Sequence, residues 1–421
     1  VTEVGIEEAV DRAHRDEWAR IVASLVRRFG DLDLAEEAAA EAFATAVERW
    51  PDDGIPPNPG AWLTTTATRK AIDRIRRETK RYDKHREARL VYGTVDAAPV
   101  GVIEDDRLRL IFICCHPALR MEARVALTLR MVGGLTMPEI ARAFLVPDAT
   151  MGQRITRAKA KIAAARIPYR MPEAEDLPAR ISGVLTVLYL IFNEGYLATG
   201  TATAPVRAEL TTEAIRLTRM LHALVPEDGE ATGLLALMLL IDARRPARLS
   251  AAGELVALDA QDRRLWNDAL IAEGQDLVRE RLAAVAAGAR PGRYQILAAI
   301  NAVHTSAHTF RATDWSQILA LYDQLARIDR SPIVALNRAI ASAEVDGAAA
   351  GLAELERLAS TLDGYHAFHA ARAELLRRLG RTEQARTAYD RAIQLTENPA
   401  EAAALSGRRD RLIGPPEGED R

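Results

Sequence analysis

LTMPEIARAFLVPDATMGQRITRAKAK, residues 135–161, holds two apolar helical patterns separated by a break. Ile140, Ala141 and Phe144 recur at helical spacing, Pro147-Asp148 interrupts the pattern, and a second helix is expected from near Ala149. This is the pattern of a helix-turn-helix. Its second helix offers Thr150, Gln153, Arg154, Arg157 and Lys159: hydroxyl, amide and guanidinium groups that can meet base edges, and cations that can meet phosphates. No Asp or Glu occurs from 149 through 170, so nothing on this segment repels a polyanion. The bland alternative is an amphipathic hairpin with a solvated basic face.

Working outward, 421 residues suffice for two to four domains at about 100–200 residues each. Hydrophobic residues make up 48% but aromatics only 5%, and long Ala-, Leu- and Arg-rich stretches lack β-branched runs, so the expected fold is all-α. The net charge of −3 would not by itself suggest a nucleic-acid partner; the local distribution does. The two cysteines, Cys114 and Cys115, are adjacent and form no disulfide framework. The first residues lack a signal-peptide pattern, and the longest apolar run, 234–241, is too short to span a bilayer. A cytoplasmic protein with no membrane partner is expected.

Upstream of the hairpin, a first helix carries Trp18, Ile21, Val22, Leu25 and Val26 on one face and ends at Gly30. A second opens at Asp31 or Asp33 and runs to Trp50. Residues 31–48 hold six acids and no Lys or Arg; Glu37 and Glu41 share a face, where like charges weakly destabilise a lone helix. A basic partner surface would explain this, as would a solvated face. Residues 51–59 read as a proline-rich, non-helical loop. A long helix follows over 60–89, with Thr79 a candidate break, and its portion 68–89 holds ten Lys/Arg against four acids. Such a concentration is an electrostatic footprint for phosphates. Trp62, just before it, can serve equally as a core residue or as a stacking platform for an unpaired base.

Residues 91–104 read as a linker. Residues 105–167 form the helical support of the hairpin, and Cys114, Cys115 and His116 within it lack further ligands at suitable spacing, so buried thiols rather than a metal site are expected. A metal-dependent enzyme built on these three residues is the competing reading. A second linker, 168–180, carries Pro168, Pro172 and Pro178. Beyond it lies a helical extension over 181–300, in which Asn193, Glu194 and Tyr196 offer a polar site, although helix-end capping is the simpler expectation. Over 301–412 a period emerges: Ala339 and Ala373, and Leu355 and Tyr389, are each 34 apart, Gly347 and Gly380 mark the turns, and Asn398-Pro399 closes the last copy. That is the tetratricopeptide length, and arrays of this kind bind peptides or protein segments on a concave face.

These motifs together resemble the bacterial RNA polymerase sigma factors of the extracytoplasmic-function type. DLDLAEEAAAEAFATAVERW, 31–50, is similar to the family's core-polymerase-binding helix. NPGAWLTTTATRKAIDRIRR, 58–77, is similar to the segment that melts and reads the minus-ten element, and the hairpin to the reader of the minus-thirty-five element. The long remainder resembles a subgroup with a tetratricopeptide-like extension. The resemblance implies two small helical domains, 6–90 and 105–167, followed by the extension. It also implies core RNA polymerase and promoter DNA as partners, a peptide or protein ligand for the repeats, no cofactor, no metal and no catalytic residue. It places Glu36, Glu37 and Glu41 on the polymerase. Arg69, Lys70, Arg74, Arg76 and Arg77 would lie on promoter phosphates, with Asp73 accepting from a base and an extruded base held before Trp62. Thr150, Met151, Gln153, Arg154, Arg157 and Lys159 would face the minus-thirty-five DNA. A stand-alone helix-turn-helix regulator with a tetratricopeptide sensor is the alternative.

Overall fold

The computed structural model describes residues 3–83, 106–144, 146–196, 206–250, 254–396 and 398–412. These are helical throughout, apart from connecting turns and one isolated bridge between Leu249 and Leu255. The chain divides into two compact units, Val1–Leu190 and Ile191–Arg421. The expected linker 91–104 lies outside the described residues, as do 84–89 of the long basic helix.

The first unit opens with α1 (Glu3–Phe29), which ends at Gly30 in the left-handed conformation (φ 68°) with its N–H on the Val26 carbonyl. α2 (Leu32–Asp53) is capped by Asp31, whose carboxylate accepts from the N–H groups of Asp33 and Leu34. Contrary to the expected non-helical stretch from 51, α2 continues through Pro51 to Asp53. Proline is tolerated here because it falls in the final turn, and its missing donor leaves the carbonyl of solvent-exposed Val47 free for water. α3 (Pro59–Asp83) passes through Thr79 without a break. α1, α2 and α3 pack as a three-helix group around Trp18, Val22, Ala39, Phe43, Leu63 and Ala71.

α4 (Asp106–Cys114) and α5 (Met121–Thr128) follow, and α5 runs into a π-helical turn, Leu129–Gly133, closed by left-handed Gly134. The helix-turn-helix is α6 (Met137–Ala143) and α7 (Asp148–Ala164). α6 starts in a capping box: the Thr136 N–H and hydroxyl donate to the Glu139 carboxylate, and the Glu139 N–H returns a 3.4 Å contact to the Thr136 hydroxyl. α8 (Leu177–Tyr196) completes the unit and carries the chain into the next.

In the second unit, α9 (Ala208–Leu224), α11 (Asp268–Ala286) and α12 (Arg293–Ser306) surround α10 (Gly229–Asp242). Residues 231–240 of α10 are buried on every side, as expected of a helix apolar all round. A Cβ on Gly233 would lie 2.6 Å from the Gln295 backbone nitrogen, so α10 and α12 cross at backbone distance. Glu194, expected to cap, instead forms a buried ion pair with Arg207 at 2.6 Å, because α8 and α9 approach closely at Gly195.

From α13 (Trp315–Ile328) onward the helices pack mainly on their sequence neighbours: α14 (Pro332–Val345), α15 (Ala348–Glu356), α16 (Ala359–Leu362), α17 (His366–Arg378), α18 (Thr382–Leu395) and α19 (Pro399–Asp410). The 34-residue spacing has a packing counterpart. Ala339, Ala373, Leu355 and Tyr389 are all fully buried, Gly347 and Gly380 both have positive φ, and Glu344 pairs with Arg378, 34 residues on. Asn398-Pro399 opens α19 rather than closing the array: the Asn398 side chain accepts from the N–H groups of Ala400 and Glu401.

Candidate functional site

The candidate polymerase-facing acids lie on α2, but on different sides of it. Glu37 and Glu41, one turn apart, keep 46% and 41% of their side chains in solvent. Glu36 points the other way, into the unit, and is 8% exposed. α3 lies alongside, so that Lys70 meets Glu41 at 3.8 Å and Arg74 pairs with Glu37. The candidate polymerase contacts and two candidate phosphate contacts therefore neutralise each other across the α2–α3 pair.

Arg69, Arg76 and Arg77 remain on the outer side of α3, and Asp73 stands beside Arg76 at 3.9 Å. Trp62 is half-buried and edge-on to fully buried Trp50, ring centroids 5.7 Å apart, which makes it part of the α2–α3 junction. Beside it opens a cleft of about 400 Å³ lined by Glu17, Arg20, Asn58, Gly60, Ala61, Thr64 and Thr65. Asn58 caps α3 through the Ala61 N–H at 3.0 Å. α1's contribution of Glu17 and Arg20 was not legible in the sequence, since nothing local links residues forty positions apart.

On the recognition helix α7, Thr150, Gln153 and Arg157 are exposed and Arg154 is half-buried. Met151 and Lys159, both assigned to DNA from sequence, are buried at 0% and 8% exposure. Met151 shares the buried face with Ile155, Ala158 and Ile162. Lys159 crosses to α2: its ammonium donates to the Asp33 carboxylate at 2.7 Å and to Glu36. The second Glu36 oxygen accepts from Arg130 Nε at 2.6 Å, and Arg130 also donates to the Leu135 carbonyl. Burial alone would lower the Lys159 pKa, but Glu36 and Asp33 together hold it above the ordinary lysine value.

Further contacts fasten α1 to the helix-turn-helix support. Trp18 Nε1 donates to the Met131 carbonyl at 3.1 Å, and Arg27 pairs with Asp106 at 3.1 Å. The Tyr169 hydroxyl lies 2.8 Å from the Asp106 carbonyl and 2.9 Å from that of Ala23. A Cβ on Gly134 would come within 2.7 Å of His14 and 2.9 Å of Trp18, so the turn before α6 seats directly on α1. Arg180, in the stretch read as a linker, donates to the Phe112 carbonyl at 2.6 Å. Arg130 was overlooked in the sequence, although a lone Arg inside the apolar stretch LTLRMVGG has to find a partner if the stretch packs inward.

Cys114 and Cys115 are buried, with Cys115 Sγ 3.4 Å from the Thr128 hydroxyl. Burial pushes the Cys115 thiol up to about 11 and lowers the His116 imidazole. Among the described residues no three His, Cys, Asp or Glu side chains converge as a metal site would require, and no helix is long and apolar enough to cross a membrane.

Comparison with known proteins places three family matches along the chain. Residues 12–81 match Sigma-70 region 2, residues 109–162 match Sigma-70 region 4, and residues 180–282 match a family of unknown function, DUF6596. An uncharacterized protein of Rhizobium meliloti (strain 1021) is 44% identical over 405 residues, covering 94% of each chain. The ECF RNA polymerase sigma factor SigK of Mycobacterium ulcerans (strain Agy99) is 28% identical over 160 residues, 35% of this chain and 83% of its own. SigK of Mycobacterium tuberculosis (strain ATCC 25618 / H37Rv) is 29% identical over 146 residues, 32% of this chain and 74% of its own. No solved structure matches.

Proposed function

Because the chain belongs to the RNA polymerase sigma factors of the extracytoplasmic-function type, in a form with a long helical C-terminal extension, we propose that it binds core RNA polymerase through Glu37 and Glu41 of α2. On this reading α3 and the cleft at Asn58–Thr65 engage the minus-ten element, and Thr150, Gln153, Arg154 and Arg157 read the minus-thirty-five element. The protein makes and breaks no bond; it positions the polymerase. The observation that carries the reading is the coexistence of two exposed acids one turn apart on α2 with an exposed polar and cationic edge on α7. Each good bidentate base contact from α7 would discriminate by about 1–3 kcal/mol.

The arrangement described here is a closed one. Elements named for positions 10 and 35 lie about 25 base pairs apart, about 85 Å at roughly 3.4 Å per base pair. The two readers are joined by the 2.7 Å Lys159–Asp33 contact, and α7 is only about 26 Å long at about 1.5 Å per residue. Both elements cannot be read at once without separation. Opening would release Lys159 toward DNA and Glu36 toward solvent, so the roles assigned to them from sequence belong to the open state.

The extension is read as a regulator of this opening, with its repeats as a tetratricopeptide-like surface for a peptide or protein and its site of action in the cytoplasm. The test of the main reading is capture of core polymerase by the full chain and by its Glu37→Lys/Glu41→Lys variant. Loss of capture in the variant is expected. Equal capture would sink the polymerase reading and favour a stand-alone helix-turn-helix regulator. Transcription by the full chain against a chain ending at Tyr196, which keeps Tyr169 and Arg180, tests the extension; equal activity and promoter choice would remove its regulatory role.

A further inference from the structure

The second unit contains a cluster of buried donors without acceptors. Arg244 is 9% exposed; one of its terminal nitrogens donates to Asn301 Oδ1 at 3.1 Å, while its Nε is buried with no partner among the described residues. Arg263 donates through Nη1 to the carbonyls of His304 and Ala307, both at 2.6 Å, and its Nη2 is likewise buried and unpartnered. Trp266 Nε1 is a third such donor, with the Arg263 guanidinium stacked 4.5 Å over its ring, and His304 Nδ1 beside them is also without a partner. Asn301 and His304 are one turn apart on α12, so both guanidinium groups are anchored to the same face of one helix.

Of the acids nearby, Asp262 pairs with Arg264 at 2.7 Å, and Asp242 faces Arg245 at 3.4 Å while its Oδ1 is buried without a hydrogen-bond partner. The two arginines are left facing each other's charge, and both of them, after burial, depress the imidazole of His304 to about 4. A buried unpaired donor is destabilising, and native proteins fill such places with water or an ion. Water would satisfy the N–H groups but not the like charge. An oxyanion does both, and planar guanidinium groups match its geometry.

We propose that Arg244, Arg263 and Trp266 bind a small oxyanion, a phosphate or carboxylate group, within the extension. Arg244, Arg263 and Trp266 fall in the stretch matching the family of unknown function, so the assignment gives that stretch a binding chemistry. An occupant would bridge the turn after α10, the turn before α11 and the end of α12, coupling the packing of the unit to the concentration of its ligand.

The test uses the full chain, inorganic phosphate and acetate in separate arms, and sodium chloride as the ionic-strength control. Thermal unfolding and the 31P line width of phosphate are the readouts. Saturable stabilisation by one oxyanion beyond chloride is expected, at least tenfold weaker in Arg244→Gln and Arg263→Gln and unchanged in Arg357→Gln, which alters an exposed arginine. The arm that responds identifies phosphate or carboxylate. Trp266→Phe keeps both charges and removes one donor, so it decides the matter should the arginine variants fail to fold: several-fold weaker binding is expected. No saturable response beyond chloride in the wild-type chain, or a response retained in every variant that folds, overturns the proposal.

Discussion

Replacing Lys159 with Ala removes the ion-paired link between the recognition helix and α2. Breaking a buried ion pair typically destabilises by about 3–5 kcal/mol. Here Glu36 retains Arg130 at 2.6 Å, and Asp33, with 69% of its side chain exposed, rehydrates easily. The expected loss is therefore smaller, about 2–3 kcal/mol, and it falls on the closed arrangement. At about 1.4 kcal/mol per tenfold, that shifts the closed-to-open equilibrium by about 30- to 150-fold. A chain about 1% open would become about 25–60% open. Energy transfer between dyes at Asp52→Cys and Glu122→Cys reads the change directly, because the native cysteines are buried and do not compete for label. The raised Lys159 pKa also fixes a sign: the contact is fully present below the ordinary lysine pKa and weakens only as pH rises through the higher folded value. Identical transfer in Lys159→Ala and the unaltered pair, with helix content unchanged, would show that Lys159 does not hold the closed arrangement.

Other perturbations have equally definite outcomes. Gly134→Ala places a Cβ against His14 and Trp18 at φ 78°, and should destabilise the first unit by about 1–3 kcal/mol; chemical denaturation monitored by Trp fluorescence checks it. Gly233→Ala drives a methyl into the α12 backbone and should destabilise the second unit by about 1–3 kcal/mol of overpacking, read as a lower melting temperature. His304, held near 4 against an ordinary value of about 6.5, stays neutral when folded and takes its proton first when unfolded. Its contribution is therefore complete above pH 6.5 and is lost as pH falls toward 4, at most about 3 kcal/mol, so His304→Asn should flatten the acid limb of the stability–pH curve measured in chloride buffer.

Helices and their caps were largely legible in the sequence, because Gly30, Asp31, Pro147 and the apolar spacing of 140–162 act locally. The all-α fold and the order of the sigma segments followed from motifs of the same local kind. What the sequence did not reveal came from contacts between distant segments. Lys159 looked like a phosphate contact because it is one of a run of cations with Arg154 and Arg157; its spacing from Met151 and Ile155 sets it on the buried face, where Asp33 and Glu36 of α2 take its charge. Glu36 was grouped with Glu37 by adjacency, although a helix rotates successive residues by about 100° and sends them to different surfaces. Met151 lies one residue beyond exposed Thr150 and faces the core for the same reason. Pro51 read as a helix breaker because its place in a final turn depends on where the helix ends. The donor cluster of the extension was invisible, since Arg244, Arg263 and His304 are brought together only by the turns between α10 and α12.

Whether the chain directs promoter-specific initiation is read by reconstituted transcription with core RNA polymerase, the full chain and genomic DNA fragments. Initiation at a discrete set of promoters is expected, dependent on this chain and abolished by Glu37→Lys/Glu41→Lys. No chain-dependent initiation, or initiation undiminished by that double reversal, would contradict that expectation.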